Sequence, residues 1–86
     1  MTCATLHRLA MTAADQRDFR TALALERRAA SLADREPSRG ALYLSAAWLA
    51  RECGDLVEAR RLAVEGLEGT LPRWLREELE EVLDGP

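Results

Sequence analysis

The chain has 86 residues, a formal net charge of −3, 48% hydrophobic residues and 31% charged residues. This length and composition fit one folded domain, and they exclude both an unstructured chain and a catalytic cleft between two domains. All 12 basic residues are arginines, and they are interleaved with acids, so we expect no basic face for nucleic acid and no nucleic-acid partner.

In the first third of the chain, apolar residues recur at steps of three and four, which is typical of amphipathic helices. The first predicted helix runs from about residue 4 to 14 and has one apolar stripe: Leu6, Leu9, Ala10 and Ala13. The second predicted helix has another stripe: Phe19, Ala22, Leu25, Ala29 and Leu32. Asp18 precedes the second stripe, where its carboxylate can accept a hydrogen bond from an early backbone N–H. Glu26 lies off this stripe.

A proline and a glycine bound the third predicted helix, which runs from about residue 39 to 52. Pro37 disfavours a helical conformation at the residue before it, and Ser38 is predicted to cap the new helix. Gly54 suits the left-handed turn that ends a helix.

Two more helices complete the pattern. Asp55 followed by Glu58 predicts a capping box at the start of the fourth helix. Pro72 favours the first turn of the fifth helix, which reaches about residue 83 and has an acidic outer face. No alternating pattern typical of β-strands competes with the helices.

The two halves of this pattern align at a constant separation of 37 residues, the distance from Asp18 to Asp55. Several of the matched residues are small, and two helices that pack closely need Ala or Gly where their axes approach. Four alanines are therefore predicted to pack the helices into hairpins: Ala10, Ala22, Ala47 and Ala59. A fixed internal period in an all-helical chain indicates a stacked array.

Ala47, the GDL turn at Gly54 to Leu56, and Ala59 resemble the tetratricopeptide repeats (TPR). In that family two antiparallel helices meet through a small residue in the first and an Ala early in the second, and the turn is often Gly-Asp-aromatic. In the first copy Arg17 replaces the turn glycine, and Glu26 stands where the family usually has an aromatic residue. The family unit is 34 residues, so three extra residues are expected, most simply in the segment ADREPSRG.

The resemblance covers about residues 6–72 and implies an all-α fold of five antiparallel helices. They would form two stacked helix-turn-helix hairpins, at about residues 4–34 and 38–68, and a capping helix at about 72–83. Together they would make one TPR-like domain over residues 1–86, a short right-handed α-solenoid. The alternative from the residues alone is a five-helix bundle that encloses a single core.

The resemblance also implies a function, because the first helices of stacked hairpins line a concave groove. A peptide or partner helix would bind there, so the expected partner is a protein or peptide. The partner-binding residues are predicted to be His7, Arg8, Met11, Leu44, Ser45, Trp48 and Arg51. Trp48 lies either in this open groove, with Met11 and Leu44 as an apolar floor, or under the fifth helix, in which case Trp74 is the exposed tryptophan.

Two alternatives in other classes remain. One is a homodimeric structural domain or a regulatory subunit of a larger assembly, because a small domain gains stability by burying an apolar face. Catalysis is not expected, because the sequence has no Gly-rich phosphate loop, GxSxG or HExxH motif. Cys3 and His7 have a spacing that metals use, but two ligands do not make a site, so we predict no metal and no cofactor.

Location is predicted from the segments that the sequence lacks. Residues 1–18 contain no long apolar core of the kind found in signal peptides, and no apolar run approaches the length of a membrane span. We therefore expect a cytoplasmic protein with no membrane partner, and Cys3 and Cys53 as free thiols. The absence of Lys, Ile and Asn is typical of a GC-rich, bacterial coding sequence.

Overall fold

The computed structural model describes residues 1–85, and these residues form five α-helices and no β-strand. The helices are α1 (Cys3–Asp15), α2 (Phe19–Leu32), α3 (Ser38–Glu52), α4 (Leu56–Leu67) and α5 (Arg73–Asp84). The prediction of an all-α protein is confirmed, and each predicted helix is present with small differences at its ends.

The turns between α1 and α2 and between α3 and α4 have the same conformation. Arg17 has a φ angle of 63° and Gly54 of 77°, so each turn contains one residue in the left-handed region. The backbone N–H groups of Asp18 and Asp55 each donate at 2.9 Å to a carbonyl five residues earlier. Both aspartates then cap the next helix, because each carboxylate accepts a backbone N–H three residues later. The predicted caps at Asp18 and Asp55 are confirmed.

The start of α3 differs from the prediction. Ser38 is the first residue of the helix instead of its cap. Pro37 occupies the cap position, and its side chain makes no capping hydrogen bond. The Glu36 carboxylate takes the place of a capping side chain. It accepts a hydrogen bond from the backbone N–H of Gly40 at 3.0 Å and pairs with Arg39. A carboxylate is favoured there because the first N–H groups of a helix have no partner within it.

The core consists of two groups of buried side chains. The larger group lies between α3, α4 and α5 and includes Leu62, Leu75 and Leu79. The smaller group joins α1, α2 and α3 and includes Ala22 and Leu49. Helices that are adjacent in the sequence pack together along the whole chain, and α5 packs on α3 as well as on α4. The last helix therefore covers one end of the core.

The buried faces differ in detail from the predicted stripes. Leu9 is 40% exposed and Leu32 51%, although both belong to the predicted stripes. Glu26, which lies off the predicted stripe, is fully buried. The buried face of α2 consists of Ala22, Glu26, Ala29 and Ala30. Because alanines let neighbouring helices approach closely, small residues occupy the centre of this face and the leucine at the end of α2 is left at its edge.

The molecule is a flat body whose Cα atoms extend over 30 × 29 × 17 Å. The shortest dimension is close to that of two helix layers, because the axes of packed helices lie about 8–10 Å apart. Within residues 1–85, none of the helices has both the length and the apolar content needed to cross a bilayer.

Candidate functional site

The first and third helices border a cavity with a mainly apolar lining. Its volume is about 390 Å³, and six residues line it: Cys3, Ala4, His7, Ser38, Ala41 and Leu42. Helical spacing extends this face, because Met11 follows His7 one turn later on α1, and Ser45 and Trp48 follow Ala41 on α3. We call the cavity and its extension to Met11 and Trp48 the α1–α3 groove.

His7 connects the groove to the protein interior. Its Nδ1 atom lies 2.9 Å from Oε1 and 2.8 Å from Oε2 of Glu26 on α2. The Glu26 side chain is fully buried, whereas that of His7 is 45% exposed. A carboxylate has only acceptor atoms, so we infer that Nδ1 carries the proton donated to Glu26 and that Nε2 is left for other partners. This contact fixes the orientation of the imidazole beside the cavity.

Trp48 is the large aromatic side chain of the groove, and it is 42% exposed. The guanidinium group of Arg51, one turn further along α3, lies 4.9 Å from the centre of the Trp48 ring. Stacking of an arginine on an aromatic ring restrains both side chains. Trp74 on α5 is exposed as well, at 55%, so exposure does not distinguish the two tryptophans.

The other residues predicted to bind a partner differ in their exposure. Arg8 is exposed, whereas Met11 and Ser45 are half-buried. Leu44 is only 8% exposed and belongs to the core between α3, α4 and α5. Consecutive residues of a helix point about 100° apart, so Leu44 faces the core when Ser45 faces the groove. The apolar floor of the groove therefore lacks Leu44.

The four alanines predicted to pack the hairpins are all buried. Their exposed fractions are 0% for Ala10, Ala22 and Ala47 and 1% for Ala59. Ala47 and Ala59 belong to the same core group, and both α1–α2 and α3–α4 are packed pairs of helices. Residues of this size at a helix contact allow the two axes to approach closely.

Of the six residues that line the cavity, the sequence pointed only to His7 as a binding residue. The residues that it does not indicate are Cys3, Ala4, Ser38, Ala41 and Leu42 in the lining, and Glu26 behind the imidazole. The spacing of Cys3 and His7 is a usable signal, because residues four apart share one face of a helix. No spacing rule connects His7 to Glu26, since these residues lie on different helices. The one hint in the sequence that Glu26 is buried is that alanine or leucine stands three and four residues away on both sides of it, on the same face of the helix.

A second, more polar depression lies on α2, α3 and α4. Its volume is about 590 Å³, and its lining includes Arg27, Arg28, Glu58, Arg61 and Glu65. The Glu58 carboxylate accepts hydrogen bonds from Arg27 on α2 and from Arg61 on α4. The bond from Arg61 is the main reason that the pKa of Glu58 falls from 4.5 to about 2; partial burial opposes this fall, and the bond from Arg27 adds to it. Glu58 thus pairs with arginines instead of completing the predicted capping box.

Neither surface holds a recognisable metal centre. Across residues 1–85, no group of three or more His, Cys, Asp or Glu side chains is arranged to hold a metal ion. No protein-family model matches the chain, and the searches of curated proteins and of solved structures found no match to it. The structural class of the protein therefore follows from its geometry alone. It is an all-α protein whose described residues form five helices, with an apolar groove between α1 and α3.

Proposed function

We propose that the chain is a non-catalytic protein-interaction module, similar to tetratricopeptide repeats, that binds a peptide or a partner helix along the α1–α3 groove. The observation that carries this proposal is the half-exposed Trp48 stacked on Arg51 at one end of the groove. Trp and Arg are frequent anchors of protein interfaces, because they bury a large area and carry polar tips. Apolar side chains of the partner would contact Trp48 and the cavity, and an acidic group would face the exposed Arg8.

The likeness of the two hairpins supports the comparison with helical repeats. Both turns contain one left-handed residue and the same backbone hydrogen bonds, at a separation of 37 residues from Arg17 to Gly54. A single hairpin cannot cover its own apolar face, so repeats of this kind stack and bury a continuous core. In such a stack the first helices of the two hairpins, α1 and α3, lie side by side and form the binding face.

We further propose that the protein acts in the cytoplasm of a bacterial cell. Cys3 and Cys53 are free thiols, and thiols stay reduced in the cytoplasm. The exclusive use of arginine as the strongly basic residue is typical of GC-rich bacterial genes.

A displayed library of random peptides, selected on the wild-type chain, tests the peptide-binding proposal. Selected peptides are labelled with a fluorophore and titrated by anisotropy. We expect Trp48→Ala to weaken their binding by about 2 kcal/mol, roughly thirtyfold in Kd, as for an interface anchor. Trp74→Ala is the matched control, because it removes an exposed tryptophan from α5 and should leave Kd unchanged.

Circular dichroism establishes that both variants remain helical, so that weaker binding is not loss of the fold. Peptides that bind Trp48→Ala as tightly as the wild type would place the binding surface elsewhere on the molecule. A selection that yields no binder at all would count against an interaction module of this type.

Homodimer formation is a second candidate, and exposed apolar residues on α4 favour it. Val57 and Val64 are 82% and 51% exposed, and because they are seven residues apart they share one face of the helix. Burying this face against a second copy would enlarge the core of a small domain. Sedimentation velocity over a concentration series measures this: a monomer at every concentration contradicts the dimer, and Val57→Glu should dissociate any dimer that forms.

A further inference from the structure

The cavity end of the groove places a thiol beside an imidazole. Cys3 and His7 are four residues apart on α1, and both line the cavity. Residues with this spacing are neighbours on the helix surface, with Cβ atoms about 5–6 Å apart. The Cys3 thiol and the His7 ring therefore share one face of α1 at the cavity.

Glu26 prepares this imidazole to accept a proton. Its carboxylate occupies Nδ1 of His7 at 2.8 Å, which leaves Nε2 as the nitrogen available to the thiol. A nucleophile, a base and a group that orients the base together form the arrangement that activates thiols in proteins.

One cysteine of the chain lies at the N-terminus of a helix and the other at the C-terminus of a helix. Cys3 is the first residue of α1, whereas Cys53 is the C-terminal cap of α3. The N-terminus of a helix favours negative charge on a sulfur atom, and the C-terminus does not. Both cysteines are half-buried, so exposure alone does not distinguish them. His7 is the only histidine of the sequence, so Cys53 has no second imidazole to use.

We propose that Cys3 is a reactive thiol and that the cavity is a site of thiol–disulfide exchange with small disulfides that carry an apolar group. The Cys3 sulfur transfers its proton to Nε2 of His7 and attacks one sulfur of the disulfide. A new S–S bond to Cys3 forms, the original S–S bond breaks, and the departing thiolate takes the proton from the imidazolium. The apolar group occupies the cavity of about 390 Å³ beside Ala41 and Leu42. This site does not depend on peptide binding.

The first experiment compares Cys3 with Cys53 within one chain. Reduced wild-type protein is mixed with dithiodipyridine, a small aromatic disulfide, in a buffer that contains a chelator. The mixed disulfide at each cysteine is then followed over time by peptide mass spectrometry. We expect Cys3 to react about tenfold faster than Cys53 in the folded protein, and the two rates to converge in urea. Equal rates in the folded protein overturn the proposal.

A second experiment separates the two roles of the imidazole with His7→Asn. Asparagine places an amide N–H close to the position of Nδ1, so it can still donate to Glu26, but it has no counterpart of Nε2. Cys3 in this variant should react about as slowly as Cys53, whereas Thr12→Ala, the control at an exposed site on the same helix, should leave both rates unchanged. An unchanged Cys3 rate in folded His7→Asn overturns the role of the imidazole. If His7→Asn does not fold, the wild-type comparison of the two cysteines decides the proposal.

Discussion

Glu26 is fully buried, and its partner His7 is half-exposed at the edge of the groove. Moving a carboxylate from water into a protein interior is unfavourable unless a charged or hydrogen-bonding partner satisfies it. Of the residues that the structure describes, His7 supplies the hydrogen bonds to Glu26. His7 and Glu26 therefore add a hydrogen-bonded link to the packed contact between α1 and α2.

His7→Ala should destabilise the protein by about 2–4 kcal/mol, because it leaves the Glu26 carboxylate buried without a partner. Urea unfolding followed by circular dichroism measures the change. Arg8→Ala, at the exposed neighbouring position, is the control and should change the unfolding free energy by less than about 0.5 kcal/mol. Equal effects of the two substitutions would show that the buried pair contributes nothing specific.

At the scale of elements, the two hairpins use the same turn with different residues. Arg17 and Gly54 both have positive φ angles, and each is followed by an aspartate that caps the next helix. A side chain in the left-handed region costs about 1–2 kcal/mol, a penalty that glycine avoids. The first hairpin thus keeps the turn conformation although Arg17 is unfavourable there, because the surrounding hydrogen bonds and helix packing require that conformation.

Arg17→Gly should stabilise the protein by up to about 1 kcal/mol, because it removes this steric penalty and leaves the hydrogen bonds of the turn intact. Gly54→Ala should destabilise it by a similar amount; an added Cβ there meets no other atom within 4 Å, so conformation alone determines the effect. Thermal and urea unfolding check both changes. A loss of stability in Arg17→Gly would mean that the arginine side chain makes a contribution that outweighs the strain.

Gly66→Ala should destabilise the protein by about 1–2 kcal/mol, although alanine is the better helix former. The added Cβ would lie 2.9 Å from Cβ of Tyr43 and 3.1 Å from Cδ2 of Leu79, where α4 packs between α3 and α5. The Tyr43 atom is next to its backbone, so relief requires a shift of the whole helix. Val64→Ala, at an exposed site on α4, is the control, and the difference in unfolding free energy is the measurement. A gain in stability in Gly66→Ala would mean that the helices separate easily.

At the scale of the whole molecule, an ion-pair cluster joins the two hairpins across α2 and α4. Arg27 of the first hairpin and Arg61 of the second both bind the Glu58 carboxylate, whose side chain is 13% exposed. The pKa of Glu58 is lower in the folded protein than its usual value of 4.5. Its contribution to stability is therefore fully present above pH 4.5, and it is lost as the pH falls from 4.5 to about 2.

We expect the wild type to lose stability as the pH falls from 4.5 to about 2, and this loss should be smaller in Glu58→Gln. The effect should be below about 1 kcal/mol, because both arginines are half-exposed. Urea unfolding across this pH range measures it. Glu77→Gln on α5 is the control, since its pair with Arg73 is exposed and does not join the hairpins. An acid response identical to that of the wild type would rule out Glu58 as a contributor.

The sequence alone determined the five helices and most of their ends. Those features depend on groups within a few residues of one another: apolar spacing within a helix, the aspartate caps at Asp18 and Asp55, and the glycine at residue 54. The left-handed turn at Arg17 is harder to predict from the sequence, because arginine disfavours the positive φ angle that this turn requires. The positions of the hairpin alanines could also be predicted, because small residues mark close helix contacts.

Only the tertiary structure decided which side each helix turns toward its neighbours. That rotation buries Leu44 and Glu26 and leaves Leu32 exposed. No local pattern fixes it, because α2, α3, α4 and α5 each pack on two or more other helices. The groove follows from the same rotation, since its lining comes from two helices that are distant in the sequence. Side-chain periodicity gives the width of an apolar face, but packing between helices determines its direction.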